Sequence, residues 1–255
     1  MGLRIFLFLL FLFPDGIHAQ VKFIGRAISE ADHKRKAPLS EALNHGLAGI
    51  SAEIKLNKNG HLVCGKHLFK ETYLQPLHEI MIQNKGQIYP GKKVDFILYL
   101  HIGTDSIAIY KALRKTLEEF TADIKVPGSE EKSSGRIRIV LGGNIPYSLL
   151  EMEEKPLVMT AEQIKSDRPS PPVYLNAIDF ASEYSWNGDK NMPNMQYHAF
   201  NTRVKAARKA GRKVIIHNYP DSYNAMEIIL GTGADFLLVK DIPDFLKFWE
   251  DRKMY

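Results

Sequence analysis

Six side chains that could bind a charged ligand lie at or just beyond the ends of apolar segments. They are two carboxylates, two imidazoles and two ammonium groups: Glu30, Glu53, His101, His217, Lys66 and Lys240. Lysine and histidine together attract an anion such as a phosphate group. Imidazole with carboxylate is instead a ligand set that suits Zn²⁺ or Mn²⁺. Either site requires a fold that brings these segment ends together.

Apolar, β-rich segments alternate with helical patterns along the chain. Strands are predicted at 21–27, 49–56, 94–102, 136–141, 156–159, 173–178, 213–217 and 235–239. The unbroken apolar run FILYL at 96–100 is typical of a strand covered on both faces. Eight such strands with intervening helices predict a (β/α)₈ TIM barrel. A doubly wound open sheet is the alternative, and the absence of a glycine-rich phosphate loop after any strand disfavours it.

The segments between the strands contain helix and turn patterns. Helices are predicted at 38–45, 106–120, 194–210, 223–230 and 243–249. The sequence Asn57-Lys58-Asn59-Gly60 predicts a hairpin turn just after the second strand. No repeat and no linker interrupts the pattern, so we expect a single domain.

The first nineteen residues have the layout of a secretory signal peptide. Arg4 precedes the nine-residue apolar run at 5–13, Pro14 then breaks it, and the small Ala19 precedes Gln20. The run is too short to cross a hydrocarbon core of about 30 Å. We therefore expect a mature domain at 20–255, exported to a periplasm or secreted, without integral membrane association. A buried N-terminal helix is the alternative.

Composition narrows the class of partner. The chain has 34 Lys and Arg against 29 Asp and Glu, a net charge of +5, without a dense basic tract. Nucleic acid is therefore not an expected partner. Cys64 is the only cysteine, so no internal disulfide is possible and no lipid anchor is expected after the cleavage point.

Two blocks of sequence carry a family pattern. The first comprises Pro38-Leu39, Ala42-Leu43, Gly46, GISAEIKL at 49–56, NGHLV at 59–63 and Gly65. The second comprises SWNG at 185–188, Met192-Pro193, AGRKV at 210–214, Pro220-Asp221, Leu230, GADF at 233–236, Lys240-Asp241 and Phe245-Leu246, with LGGNIP at 141–146 between the blocks. This pattern resembles the glycerophosphodiester phosphodiesterase and phospholipase C-like barrels. It is most similar to their "altered inheritance of mitochondria" branch.

The resemblance implies phosphodiester cleavage at the C-terminal face of the barrel. There, carboxylates would hold Ca²⁺ or Mg²⁺ to offset the phosphate charge, and two histidines would act as general base and acid. The family's first two histidines fall on Ile28 and Glu30, and Asp32 alone keeps its type. The family histidine that follows the glycine of the hairpin falls on Lys66.

Other family positions also differ. The Glu-Ala-Asp of the second strand is Ser51-Ala52-Glu53, and the acid and lysine after the third strand are His101 and Gly103. The runs that end the seventh and eighth strands are IHNYPD at 216–221 and LVKD at 238–241. The resemblance therefore implies impaired catalysis, with no catalytic residue assigned at Ile28, Glu30 or Lys66. We expect no cofactor, and we expect Lys66 to pair with Glu53 or Glu30 in place of the cation.

Several residues keep a second interpretation. Lys66 could be solvated on its loop, and a slip of one residue could return His33 or His67 to a catalytic position. Trp186 could contact a ligand or only pack, and Asp221 and Asp241 are expected to cap the helices that follow them.

The leading hypothesis is an exported, catalytically impaired phosphodiesterase-fold protein. It would bind a small phosphorylated anion through the six residues that open this subsection. The rival is an active, Ca²⁺- or Mg²⁺-dependent phosphoric diester hydrolase of lipid or glycerophosphodiester metabolism; a bound metal would use Glu30, Glu53 and His101, with His217 as a further ligand. A third class is a glycoside hydrolase that uses Glu53 and a second carboxylate. The oligomeric state is left open.

Overall fold

Eight parallel strands close into a barrel in the computed structural model, which describes residues 21–128, 135–162 and 172–252. The barrel strands are β1 (Ile24–Ser29), β2 (Leu47–Leu56), β5 (Phe96–Ile102), β6 (Ile137–Gly143), β7 (Val158–Glu162), β8 (Val173–Asp179), β9 (Lys213–His217) and β10 (Phe236–Val239). Two further strands, β3 (Leu62–Cys64) and β4 (His67–Leu68), pair antiparallel after β2. Neighbours follow the order β1-β10-β9-β8-β7-β6-β5-β2, and β1 also pairs with β2. The predicted (β/α)₈ barrel is therefore confirmed.

Helices follow most barrel strands and cover the outside of the barrel. They are α1 (Ser40–Asn44), α2 (Gln75–Gln83), α3 (Ser106–Glu118), α4 (Tyr147–Leu150), α5 (Phe180–Glu183), α6 (Asn194–Lys209), α7 (Tyr223–Gly231) and α8 (Ile242–Asp251). The five predicted helices correspond to α1, α3, α6, α7 and α8. Three helices, α2, α4 and α5, were not predicted, and α2 continues a π-helical turn at Lys70–Leu74.

The predicted strand boundaries differ most from the structure in the first and fifth strands, because strand pairing, not hydrophobicity, sets them. The first strand was expected at 21–27, but β1 extends to Ser29, which pairs with Val239 of β10. The fifth was expected at 156–159, but β7 starts at Val158 and runs to Glu162. Pro156 lacks the N–H that a central strand needs for pairing.

The predicted hairpin is confirmed and extends β2 beyond the barrel. The Asn57 side chain accepts hydrogen bonds from the backbone N–H groups of Asn59 (3.0 Å) and His61 (2.9 Å). Gly60 has φ +76°, which a residue with a side chain adopts at a cost. The turn pairs β3 antiparallel to the end of β2 and carries the chain outward from the barrel mouth.

Buried side chains form two apolar layers. One layer fills the barrel: Ile28, Ala48, Ile97, Tyr99, Val140, Ala161, Leu175, Ile215, Phe236 and Leu238. The other lies between the strands and the helices. Within the described ranges, no helix is both long and apolar enough to cross a membrane. Residues 1–19, the predicted signal peptide, lie outside those ranges.

Ser222 caps α7, and its loss should lower stability. Its hydroxyl accepts a hydrogen bond from the backbone N–H of Ala225 at 3.1 Å. We expect Ser222→Ala to cost about 1 kcal/mol, because a helix-end N–H loses its acceptor. In thermal unfolding this corresponds to a Tm about 2–4 °C lower. Ser40→Ala, at the exposed first residue of α1, is the matched control, and an equal loss in both variants would contradict the capping role.

Candidate functional site

A cavity of about 420 Å³ opens at the C-terminal ends of β1, β2, β5 and β9. This is the face at which (β/α)₈ barrels carry their active sites. Polar residues of the lining are Glu30, His33, Lys34, Ser51, Glu53, His101, His217 and Asn218. Gly103 and Gly143 also line it, so part of its wall is backbone.

Strand geometry explains why Glu53 and His101 meet in this cavity. Side chains alternate between the two faces of a strand. On β2, Ala52 and Ile54 are buried in the layer under the helices, which leaves Ser51 and Glu53 facing inward. Glu53 is the direct register partner of His101 on β5, so both side chains reach the same level of the barrel.

His217 and Glu30 reach the cavity from the ends of β9 and β1, which lie on the other side of the β1–β2 pairing from β5. His217 is the last residue of β9 and pairs with Asp179 at the end of β8. Glu30 follows β1 directly, and its backbone N–H donates to the Val239 carbonyl at 2.9 Å. Asn218 follows His217 and donates its side-chain N–H to Asp179 at 3.1 Å.

Burial lowers the pKa values of the three histidines of the cavity, which favours their neutral form. Burial, aided by repulsion from His217, lowers the pKa of His101 to about 4 against the attraction of Glu53. Burial also lowers the pKa of His217, although Asp179 and Glu30 oppose the shift. The pKa of His33 is lowered by burial and by the neighbouring Lys34. A neutral imidazole offers one N–H donor and one nitrogen acceptor.

The two carboxylates of the cavity differ in their partners. A hydrogen bond from Lys55 lowers the pKa of Glu53, and the two side chains form an ion pair at 2.9 Å. Both side chains are about half exposed, at 46% and 59%, so this pair contributes at most about 1 kcal/mol. Glu30 has one buried carboxylate oxygen, Oε2, without a hydrogen-bond partner in the described part of the chain.

The cation implied by the resemblance does not fit these residues. Ca²⁺ takes six to eight oxygen ligands, and Zn²⁺ takes about four converging ligands. Among the described residues, no three His, Cys, Asp or Glu side chains are close enough together to hold a metal ion. The set of Glu30, Glu53 and His101, with or without His217, therefore does not form a ligand cage in this conformation.

Lys66 does not lie in the cavity, and the expected pair with Glu53 or Glu30 is absent. Cys64 and His67 pair across a two-residue turn, in which Gly65 has φ +62°. Lys66 is exposed at the tip of this turn. Glu53 contacts Lys55 instead, because the two residues are two positions apart on β2 and therefore share a face of the strand.

Lys240 lies beside the cavity, and a different lysine, Lys34, lines it. Lys240 is exposed and borders a smaller adjacent pocket together with Glu30, Asn218 and Asp221. Lys34 was not among the predicted site residues. The pattern that could have identified it is the basic run His33-Lys34-Arg35-Lys36, shortly after the first strand.

His33 reaches the cavity because its segment is helical. Asp32–Lys34 form one 3₁₀ turn, so successive side chains rotate by a third of a turn rather than alternating. A shift of one residue could return either His33 or His67 to a family catalytic position. Of these two histidines, His33 lines the cavity and His67 does not. Asp32, the one family-type residue of this run, is fully buried beneath the cavity.

The remaining candidates have structural contacts. Trp186 is 7% exposed, packs on Phe180 with ring centroids 6.2 Å apart, and donates its indole N–H to the Asp189 carbonyl at 2.8 Å. Asp241 caps α8, as expected, by accepting from the backbone N–H of Asp244 at 2.9 Å. The expected cap of Asp221 on α7 is wrong, because Ser222 has that role.

Comparison with known proteins supports the fold. No family model and no curated protein matches the sequence. A solved structure from Galdieria sulphuraria, provisionally assigned as a glycerophosphodiester phosphodiesterase, is similar with a TM-score of 0.50 and 12% identity, over 89% of this chain and 98% of that one. A glycerophosphodiester phosphodiesterase from Agrobacterium tumefaciens gives a TM-score of 0.47 and 11% identity, over 89% of this chain and 100% of that one. At such identities the likeness concerns the fold alone: this chain has the (β/α)₈ barrel fold.

Proposed function

We propose that this protein binds a small phosphorylated anion in the cavity at the C-terminal barrel face and has little or no metal-dependent phosphodiesterase activity. The observation that carries the proposal is that Lys34 and three histidines, whose pKa values burial lowers, line one cavity. We also propose that residues 1–19 direct export. We further propose that the chain is a catalytically impaired relative of the "altered inheritance of mitochondria" branch.

The donors of the cavity match the needs of a phosphate group. A phosphate presents several acceptor oxygens and one or two negative charges. Lys34 supplies a full positive charge, and each neutral imidazole can donate one N–H. Glu53 is partly neutralised by Lys55, which limits its repulsion of an anion.

The same residues argue against hydrolysis with a divalent cation. Ile28, at a family histidine position, is fully buried inside the barrel and has no group that could transfer a proton. A cation would also need ligands beyond Glu53, whose carboxylate already contacts Lys55.

Phosphate affinity tests the role of Lys34. We expect Lys34→Ala to weaken the binding of inorganic phosphate or glycerol 3-phosphate at least about tenfold, since a hydrogen bond from a charged donor contributes roughly 1.5–3 kcal/mol. Isothermal titration calorimetry gives the affinity directly. Lys58→Ala, on the exposed hairpin turn, is the control and should keep the parent affinity. Equal affinities in the parent and in Lys34→Ala would rule out this site.

An active hydrolase is the second candidate, because three histidines in one cavity could supply a base and an acid. Bis(p-nitrophenyl) phosphate and glycerophosphodiesters, assayed with Ca²⁺, Mg²⁺, Mn²⁺ and Zn²⁺ in turn, distinguish the two functions. Our proposal requires background rates throughout. Metal-dependent turnover that disappears in Glu53→Ala would establish the hydrolase instead.

A further inference from the structure

The large apolar side chains on the surface are concentrated around the barrel mouth. Among the described residues, six large hydrophobic side chains are exposed: Leu68, Ile82, Ile107, Met152, Met195 and Tyr197. All but Ile82 follow the C-terminal ends of barrel strands. Met195 and Met152 are the most exposed, at 83% and 79%. Ile82, near the end of α2, is the exception and lies toward the opposite end of the barrel.

These residues surround the mouth rather than line one side of it. Leu68 is on the hairpin after β2, Ile107 is in the first turn of α3 after β5, and Met152 follows β6 and α4. Met195 and Tyr197 are in the first turn of α6 after β8. In the ring of strands β2 and β8 lie opposite each other. A flat partner can touch all of these points at once, whereas a bound peptide would follow one side.

Lysines without acidic partners flank the same mouth. The loops after β1 and β2 carry Lys36, Lys58 and Lys66, all exposed and without an ion pair in the part of the chain that the structure describes. Two neighbouring bases are paired, Arg35 with Glu41 and Lys55 with Glu53, and Lys34 lines the cavity. The loop around Met152 also carries carboxylates, so the electrostatic contact is centred on the β1–β2 side.

We infer that the rim of the barrel mouth is a docking surface for an anionic lipid bilayer. Scattered apolar side chains beside unpaired lysines have the chemistry of a reversible interfacial contact. The lysines interact with acidic headgroups, and the apolar side chains enter the boundary between headgroups and acyl chains. Docked in this way, the cavity opens toward the headgroups. This surface is separate from the proposed phosphate site, and neither depends on the other.

Vesicle co-sedimentation tests the docking surface. The probes are vesicles of phosphatidylcholine alone and of equal parts phosphatidylcholine and phosphatidylglycerol. We expect partition onto the anionic vesicles, weakened by salt, and little onto the neutral ones. The double variant Lys58→Glu/Lys66→Glu should lower partition at least about tenfold, since each lysine near an anionic surface contributes about a factor of five. Ile107→Ser/Met195→Ser should lower it several-fold at unchanged charge.

Matched variants at the other end of the barrel distinguish an effect of this surface on partition from a general effect of charge or hydrophobicity. Lys93→Glu, in the exposed loop before β5, and Ile82→Ser change the same residue types away from the mouth and should leave partition within about twofold of the parent. Calorimetry with inorganic phosphate on the rim variants should give the parent affinity, so failure of docking and failure of the phosphate site are distinguishable.

Three results would each overturn the inference. The first is an absence of partition onto anionic vesicles at low salt. The second is an equal loss of partition in the rim variants and in the matched variants. The third is a dimer, seen by sedimentation velocity, that dissociates in Ile107→Ser/Met195→Ser while vesicle partition stays unchanged, which would assign the rim to a second copy of the chain.

Discussion

Replacing Asp32 with alanine should destabilise the barrel by roughly 2–5 kcal/mol, because it leaves buried donors without an acceptor. The carboxylate is fully buried and accepts from the Leu39 backbone N–H at 2.7 Å and from the Ser29 hydroxyl at 2.9 Å. Burial raises its pKa, although these two hydrogen bonds and Arg35 act in the opposite direction. Leu39 has φ +63°, so its unusual backbone conformation is held by this contact.

The same network fixes the loop that carries His33 and Lys34. Arg35 donates to the Ser29 hydroxyl at 2.7 Å and to the carbonyls of Val239 (3.1 Å) and Lys240 (2.9 Å). It therefore ties the end of β1 to the end of β10. We expect Asp32→Ala to weaken phosphate binding as well, through loss of loop position rather than loss of a direct contact.

Urea unfolding with a matched variant tests this role. Asp221→Ala removes an exposed carboxylate and should change the free energy of unfolding by less than about 0.5 kcal/mol. Asp32→Asn keeps one acceptor oxygen and should lie between Asp32→Ala and the parent. An Asp32→Ala protein of parental stability that has lost phosphate affinity would instead make Asp32 a ligand-contacting residue.

Local sequence determined most of the fold because a barrel strand has a strong local pattern. The run at 96–100 is apolar on both faces, and the structure buries it between the barrel interior and the helices. Boundaries were less certain, since they depend on partners far away in sequence. Ser29 belongs to β1 only because Val239 lies beside it, and nothing in the residues next to Ser29 indicates that pairing.

In the candidate site, too, residues on strands could be predicted and residues in turns could not. Glu53, His101 and His217 could be placed from sequence, because alternation on a strand fixes which face each side chain takes. Lys66 and His33 could not, because they lie in a tight turn and a 3₁₀ turn. In a turn, the direction of a side chain depends on the backbone angles. Aligning residues to a family pattern does not predict those angles.

Acid should destabilise this protein through His101, and the size of the effect follows from its pKa. The folded-state pKa is about 4, against about 6.5 in an unfolded chain. Between these two values the unfolded state binds more protons, so stability is full above the unfolded pKa and falls as pH decreases through the window. The loss from His101 alone reaches roughly 3 kcal/mol by pH 4, and the lowered pKa values of His33 and His217 add to it with the same sign.

Replacing His101 with glutamine isolates this contribution. The variant loses the ring contact with Tyr99, whose centroid lies 4.3 Å from that of His101, so we expect it to be less stable near neutral pH. Its stability should nevertheless fall less steeply than that of the parent between pH 6.5 and 4, because glutamine does not take up a proton. Urea unfolding at half-unit pH intervals measures both slopes, and His61→Gln, on the exposed hairpin, should retain the parental slope. Parallel curves for the parent and His101→Gln would mean that the pKa of His101 is not lowered in the folded state, and the cavity would then gain a positive charge for its anion as the pH falls below about 6.5.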